Sequence, residues 1–262
     1  MRSHLHHAHS ARHMLAALAL VVATTFVSAA PVFAADDDAK SKTPLTAYKR
    51  FAFEFEAVVG TDDGNSGLTI STRGVYVGPR SQDCEATVSF GPGLELSEHV
   101  VVIGDKLWID EGHGFKKGRR ADFGFEDECA SSPKFWQGFP FDDLPSQLHG
   151  TAETRDGVAV ERVDLTEIFD TVFTSGIVGD LPPDVTAERA LIWRTKHDGF
   201  VVGLDLAMRG NSADTCREML ELDASDAAPV TCTMAIRFDL SRFDDPKLEV
   251  RAGGSNGHIN QT

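Results

Sequence analysis

The chain carries no Gly-x-Ser-x-Gly elbow, no His-Glu-x-x-His pair, no phosphate loop and no dinucleotide fingerprint. Without them the common hydrolase, metalloprotease and nucleotide-dependent chemistries have no foothold, and the chain is read as a non-enzyme without a cofactor. A hydrolase assembled from distant residues is the surviving catalytic alternative, because a triad is recognised by geometry and not by spacing. Metal ligands are equally sparse. The four cysteines include no Cys-x-x-Cys pair, and Asp62–Gly67 fails the calcium-loop pattern in either register, with Gly74 or Gly64 where a ligand is required. Basic residues are short too, 25 against 40 acidic ones, for a net charge of −15. A surface that negative repels phosphate backbones and anionic headgroups, which excludes nucleic acid as a partner.

Only one long apolar run is present, Met14–Val27. It follows a leader with Arg2, Arg12 and five histidines (His4, His6, His7, His9 and His13) and precedes Val32-Phe33-Ala34. This is the layout of a secretory signal, and the run is shorter than the roughly 20 apolar residues of a membrane span. Residues 1–34 are therefore expected to be cleaved, giving an exported soluble protein of the periplasm, envelope or medium, with a signal retained as a tether as the alternative. Losing Arg2 and Arg12 leaves 23 basic residues against 40 acidic, a charge of −17. The first cysteine is Cys84, too late in the chain for an N-terminal lipid anchor. In an oxidising compartment four cysteines imply disulfides. Of three pairings, Cys84–Cys129 and Cys216–Cys232 are preferred, since a meander brings those segments together. The second closes a loop of about 16 residues, worth about 3 kcal/mol in the chain-entropy model.

Residues 35–46 are expected to be a flexible polar lead-in, 47–251 a single domain and 252–262 a disordered tail. Within the domain the dominant period is two. Phe51, Phe53, Phe55, Ala57 and Val59 alternate with more polar positions, as do Phe200–Met208 and Met234–Leu240. One dry and one wet face per strand points to an antiparallel sheet. Gly104-Asp105, Asp156-Gly157 and Asp198-Gly199 separate such runs as hairpin turns. Helical spacing is confined to Leu165–Ile177, with Thr166 available as N-cap, to Phe141–Leu148 and to a single turn at 45–49. The expected fold is α+β, a long antiparallel meander with a few short helices.

Three stretches in this order resemble the LolA-like lipoprotein-carrier superfamily, in particular its LppX/LprG branch of exported lipid-binding proteins. They are Val100–Asp110, Gly150–Leu165, and Ala190–Trp193 running through the 197–199 turn into Phe200–Met208. The closing strand Met234–Leu240 followed by Phe243-Asp-Asp-Pro246 is similar in position to that family's end. Departures are the missing lipidation cysteine, Phe115-Lys116-Lys117 where an aromatic is usual after the second hairpin, and the acidic stretch Glu126–Cys129. The resemblance implies a strongly curved antiparallel sheet, an unclosed half-barrel, with short helices across its open face. It also implies a carrier of a lipid or lipidated ligand, exchanging with a membrane-associated donor or acceptor protein.

The cavity of such a carrier would lie between the sheet and segments 135–148 and 165–178. Its expected lining is Phe135, Trp136, Phe139, Phe141 and Leu144 from the first, and Ile168, Phe169, Val172 and Phe173 from the second. Phe123, Phe125, Phe135, Trp136, Phe139 and Phe141 also read as ordinary core closing one end of the barrel, and Ile168, Phe169, Val172 and Phe173 as a helix packed on the sheet. A partner-binding sensing module built on the same half-barrel is the alternative of a different class.

Overall fold

The alternation at the start of the domain does what its period implies. In the computed structural model, which describes residues 47–61, 67–78, 80–91, 93–119, 148–169, 184–220 and 227–253, β1 (Arg50–Thr61) buries Phe51, Phe53, Ala57 and Val59. Glu54, Glu56 and Val58 point the other way and are exposed. The remaining strands are β2 (Gly67–Val77), β3 (Ser81–Phe90), β4 (Glu95–Ile103), β5 (Lys106–Asp110), β6 (Lys116–Arg119), β7 (Thr151–Arg155), β8 (Val158–Asp164), β9 (Val185–Thr195), β10 (Val201–Gly210) and β11 (Cys232–Ser241). Among the described residues the α-helix α1 (Ala213–Met219) precedes β11.

All eleven strands form one antiparallel sheet in the order β6-β5-β4-β3-β2-β1-β11-β10-β9-β8-β7. The chain meanders outward from β1 to β6, resumes at the opposite edge with β7, and meanders back until β11 pairs with β1. Among the described residues the two edges, β6 and β7, are consecutive strands and do not pair with each other. The sheet is an open half-barrel with few helices, as expected.

The turns follow their residue chemistry. Asp156 and Gly157 both take positive φ (47° and 80°), the requirement of a type I′ hairpin, and Gly104 does so at 63°. The Asp198-Gly199 connection is longer than a two-residue turn. Residues 196–199 form the loop, closed by Thr195 N–H to the Phe200 carbonyl (2.8 Å) and Phe200 N–H to Thr195 Oγ1 (3.0 Å). The hydroxyl of Thr195 takes over a ladder bond, and a register shift follows between Val201 and Gly203.

The expected helix after Leu165 begins as a 3₁₀ turn, Thr166–Ile168, with Phe169 in helical geometry behind it. Thr166 is not its N-cap. Its Oγ1 accepts the Ala190 N–H (2.9 Å), while its own N–H donates to Asp164 Oδ1 (3.0 Å), so the turn is pinned to β9 instead. Cys216–Cys232 forms as expected, tying α1 to the start of β11, and both residues are fully buried. Cys84 is also disulfide-bonded, and its expected partner Cys129 lies outside the described residues.

The apolar face is dry at one end of the strands. Phe51, Phe53, Val102, Leu107, Val202 and Leu240 have at most 1% of their surface exposed. Phe53 achieves this by lying across β2 at Gly74, where an added Cβ would meet the Asp83 carbonyl at 2.3 Å and the Phe53 ring at 2.6 Å. The outer face carries a smaller cluster of buried Val75, Val101 and Trp108 beside Asp83. The C-terminal segment reaches this cluster, because a Cβ at Gly253 would meet both Trp108 and Phe115 at 2.7 Å. Ala252 and Gly253 are the described part of the expected tail.

Gly74→Val runs into both the Asp83 carbonyl of β3 and the Phe53 ring, and overpacking of this kind costs roughly 1–3 kcal/mol. Urea unfolding of wild type and variant is expected to show a lowered midpoint with an unchanged slope. An unshifted midpoint would mean that Phe53 does not depend on the missing side chain.

Candidate functional site

Of the expected cavity lining, Phe135, Trp136, Phe139, Phe141, Leu144, Val172 and Phe173 lie outside the described residues. Ile168 and Phe169 are described. Phe169 is buried and Ile168 partly so, both belonging to or packed against the main core. Leu165 is buried with them, its N–H bonded to the Ala190 carbonyl at 2.7 Å. Just before β7, residues 148–150 meet a charged clamp. Glu161 accepts from the Gly150 N–H (2.8 Å) and from Arg194 Nε and Nη2 (3.0 and 2.8 Å), while Arg194 Nη2 also donates to the Leu148 carbonyl at 2.6 Å. These bonds, the Gly150 N–H first, hold the Glu161 carboxyl below its usual range.

The apolar face is less well covered at its other end, where β1 leaves for β2 and β3 turns into β4. Leu68, Phe90, Leu96 and Met234 are only partly buried there. Leu94 in the adjacent turn is 54% exposed, and Val230, just before β11, is 69% exposed. The wall thus runs from fully buried residues at Phe51 to partly buried Leu68, Phe90 and Met234, with Val59 and Met208 buried between them.

A second concavity, of about 620 Å³, opens on the outer face. Its floor is a cross-strand row in which Glu85, Arg73, Glu54 and Asp239 stand opposite one another on β3, β2, β1 and β11. A parallel row holds Glu56, Arg237 and Asp205. The far wall is Trp193, whose indole N–H donates to Glu153 at 3.0 Å. Arg155, at the tip of the β7–β8 hairpin, folds back over the Trp193 ring (4.2 Å to the centroid) and reaches Asp239. Gly203 makes this possible, since a Cβ there would meet Arg155 Nη1 at 2.5 Å. Burial is the main cause that raises the Asp239 carboxyl above its ordinary pKa, with Arg155 opposing and Asp156 and Glu54 adding to it.

Sequence reasoning passed over this groove. Its charged residues occupy polar positions of separate strands, and only the pairing of β1 with β11 sets them side by side. The wet position at Trp193 was the available signal, because a tryptophan on a solvent face needs a partner for its N–H.

The outer row continues past Glu85 to His99 and Asp110. His99 Nε2 lies 2.6 Å from Asp83 Oδ1, and its ring meets Phe115 edge-on at 5.0 Å. The hydrogen bond to Asp83 is the main cause that raises the His99 pKa, and burial partly offsets it. Among the described residues no group of three or more His, Cys, Asp or Glu is placed to hold a metal ion, and no helix is long and apolar enough to cross a membrane.

No family model matches the sequence, and no curated protein does either. Solved structures of similar topology include LprF from Mycobacterium bovis (9% identity, TM-score 0.32, covering 79% of this chain and 92% of that one). A LolA superfamily protein from Nitrosomonas europaea follows (10%, 0.24, 78% and 87%). A DUF1329 family protein from Desulfovibrio piger is similar at 10%, 0.23, 78% and 89%.

The Asp83–His99 pair has a defined pH signature. A histidine whose folded pKa is raised contributes stability fully below its unfolded pKa of about 6.5 and loses it as pH rises through the higher folded value. The stability difference between wild type and His99→Gln is therefore expected to be largest below about pH 6 and to shrink toward about pH 9. A difference that is constant over this range in equilibrium unfolding would show that the pair is not ionised.

Proposed function

We propose that this chain is an extracytoplasmic carrier that reversibly buries the apolar part of a lipid, lipoprotein or other amphiphile. The ligand enters at the Leu68–Phe90 rim and lies between the apolar face of the sheet and segments 135–148 and 165–178. Phe135, Trp136, Phe139, Phe141, Leu144, Ile168, Phe169, Val172 and Phe173 contribute the covering side. No bond is made or broken. A membrane-associated donor or acceptor protein follows from this role, since a carrier must load and unload.

The supporting observation is the burial gradient along one continuous apolar face: fully buried at Phe51 and Phe53, partly buried at Leu68, Phe90 and Met234. The open order of the sheet, with β6 and β7 as its unpaired edges, adds to it, because an open curved sheet must have its apolar face covered by other segments. Each methylene moved from water into such a site gains about 0.8 kcal/mol. A partner-binding module is the second reading, favoured by how completely the Phe51 end is packed with its own side chains.

Organic extraction and native mass spectrometry of the purified chain are expected to reveal a co-purifying amphiphile. In a series of straight-chain fatty acids, affinity should rise about fourfold per methylene until the site is full. Phe173→Asp is expected to abolish uptake with little loss of folding, and Met234→Glu to weaken it at the rim. Affinity independent of chain length would leave the partner-binding module as the better reading.

A further inference from the structure

From the outer groove we infer a second binding site, independent of the carrier reading, for an extended basic segment of a partner protein. The lining holds five carboxylates, Glu54, Glu56, Glu85, Asp205 and Asp239, against three guanidinium groups. Each of the three is already engaged. Arg73 bonds Glu85 through Nε and Nη2 (3.0 and 2.6 Å), Arg155 pairs with Asp239, and Arg237 Nε lies 3.7 Å from Asp205. Glu54 and Glu56 make no ion pair among the described residues, and both are exposed on the groove floor.

These two carboxylates sit two residues apart on one strand, so their stems are ~6.8 Å apart and project in the same direction. An extended chain presents every second side chain to one face with the same repeat. A segment with Lys or Arg at alternate positions therefore places one cation on each of Glu54 and Glu56. The groove volume of about 620 Å³ suits a few residues of such a segment. An anionic ligand meets excess negative charge in the groove, and among the described residues no metal cluster is present.

The probe is an acetylated, amidated Lys-Thr-Lys-Thr-Lys-Thr peptide, titrated calorimetrically into the full chain at about 50 mM and about 200 mM salt. Saturable one-to-one binding is expected, weakened at least tenfold by the double variant Glu54→Gln/Glu56→Gln and by the higher salt. Glu95→Gln/Glu167→Gln, which removes the same charge from exposed positions outside the groove, should bind as wild type. Fatty-acid uptake should be unchanged in both variants. Equal weakening in the two double variants would reduce the effect to net charge and overturn the site, as would absence of saturable binding. Spermine binding that depends on Glu54 and Glu56, with no peptide binding, would overturn the protein-segment occupant.

Discussion

The structure depends on the pairing of its first strand with its last. Ala52–Thr61 lies against Cys232–Ser241 without a bulge, Phe53 opposite Leu240 and Ala57 opposite Ile236. Without that ladder the chain is two separate meanders, β1–β6 and β7–β11, each with a bare edge where β1 or β11 would stand. Neither half could bury its apolar side against the other, and both edges would invite foreign strands. The contact is as non-local as the domain allows, so loop-closure entropy must be met before the ladder returns any stabilisation. Asp244 reinforces the junction by accepting the N–H groups of Lys49 and Arg50 (2.7 and 3.3 Å).

One splice produces both faces. On the inner side it aligns Phe51, Phe53 and Ala57 with Leu240 and Ile236, so the apolar wall is continuous from β5 to β9. On the outer side the same register puts Glu54 opposite Asp239 and Glu56 opposite Arg237, and two half-rows of charge become one groove. Period-two geometry makes the faces inseparable, because a one-residue slip would exchange them. The remaining edges, β6 and β7, are left apart by the same order. The sheet is thereby open at the position where a plain up-and-down meander of these strands would have closed.

Legibility in the sequence follows burial contrast. β1, β10 and β11 alternate cleanly because one side is core and the other water, and the hairpins at Gly104 and Asp156-Gly157 announce themselves through residues that tolerate positive φ. β3 carries little signal: Gln82 and Asp83 are buried in it, on opposite faces, beside Cys84. β6 is four residues of Lys, Lys, Gly and Arg at an edge, with no apolar alternation to read. Helix α1 is short, and its marks, Ser212 accepting the Thr215 N–H at 3.3 Å and the Cys216 staple, do not make a helical stripe. The outer groove was not legible because it belongs to no segment. Its members are ordinary polar positions until β11 is laid beside β1, and no local pattern states that β11 goes there. The apolar rim was hidden for a similar reason, since Leu68, Phe90 and Met234 read as core until their incomplete cover is seen.

The central claim is that the sheet stays open, and the separation of its two edges measures that most directly. Spin labels at Lys116 on β6 and Thr154 on β7, read in the full chain by dipolar broadening of the continuous-wave spectrum at short range and by double electron–electron resonance at long range, report the gap. An open half-barrel predicts a mean separation of several strand spacings, each about 4.8 Å. A single sharp separation of about one spacing would mean that β6 and β7 are paired and the sheet is closed into a barrel, which contradicts the open half-barrel.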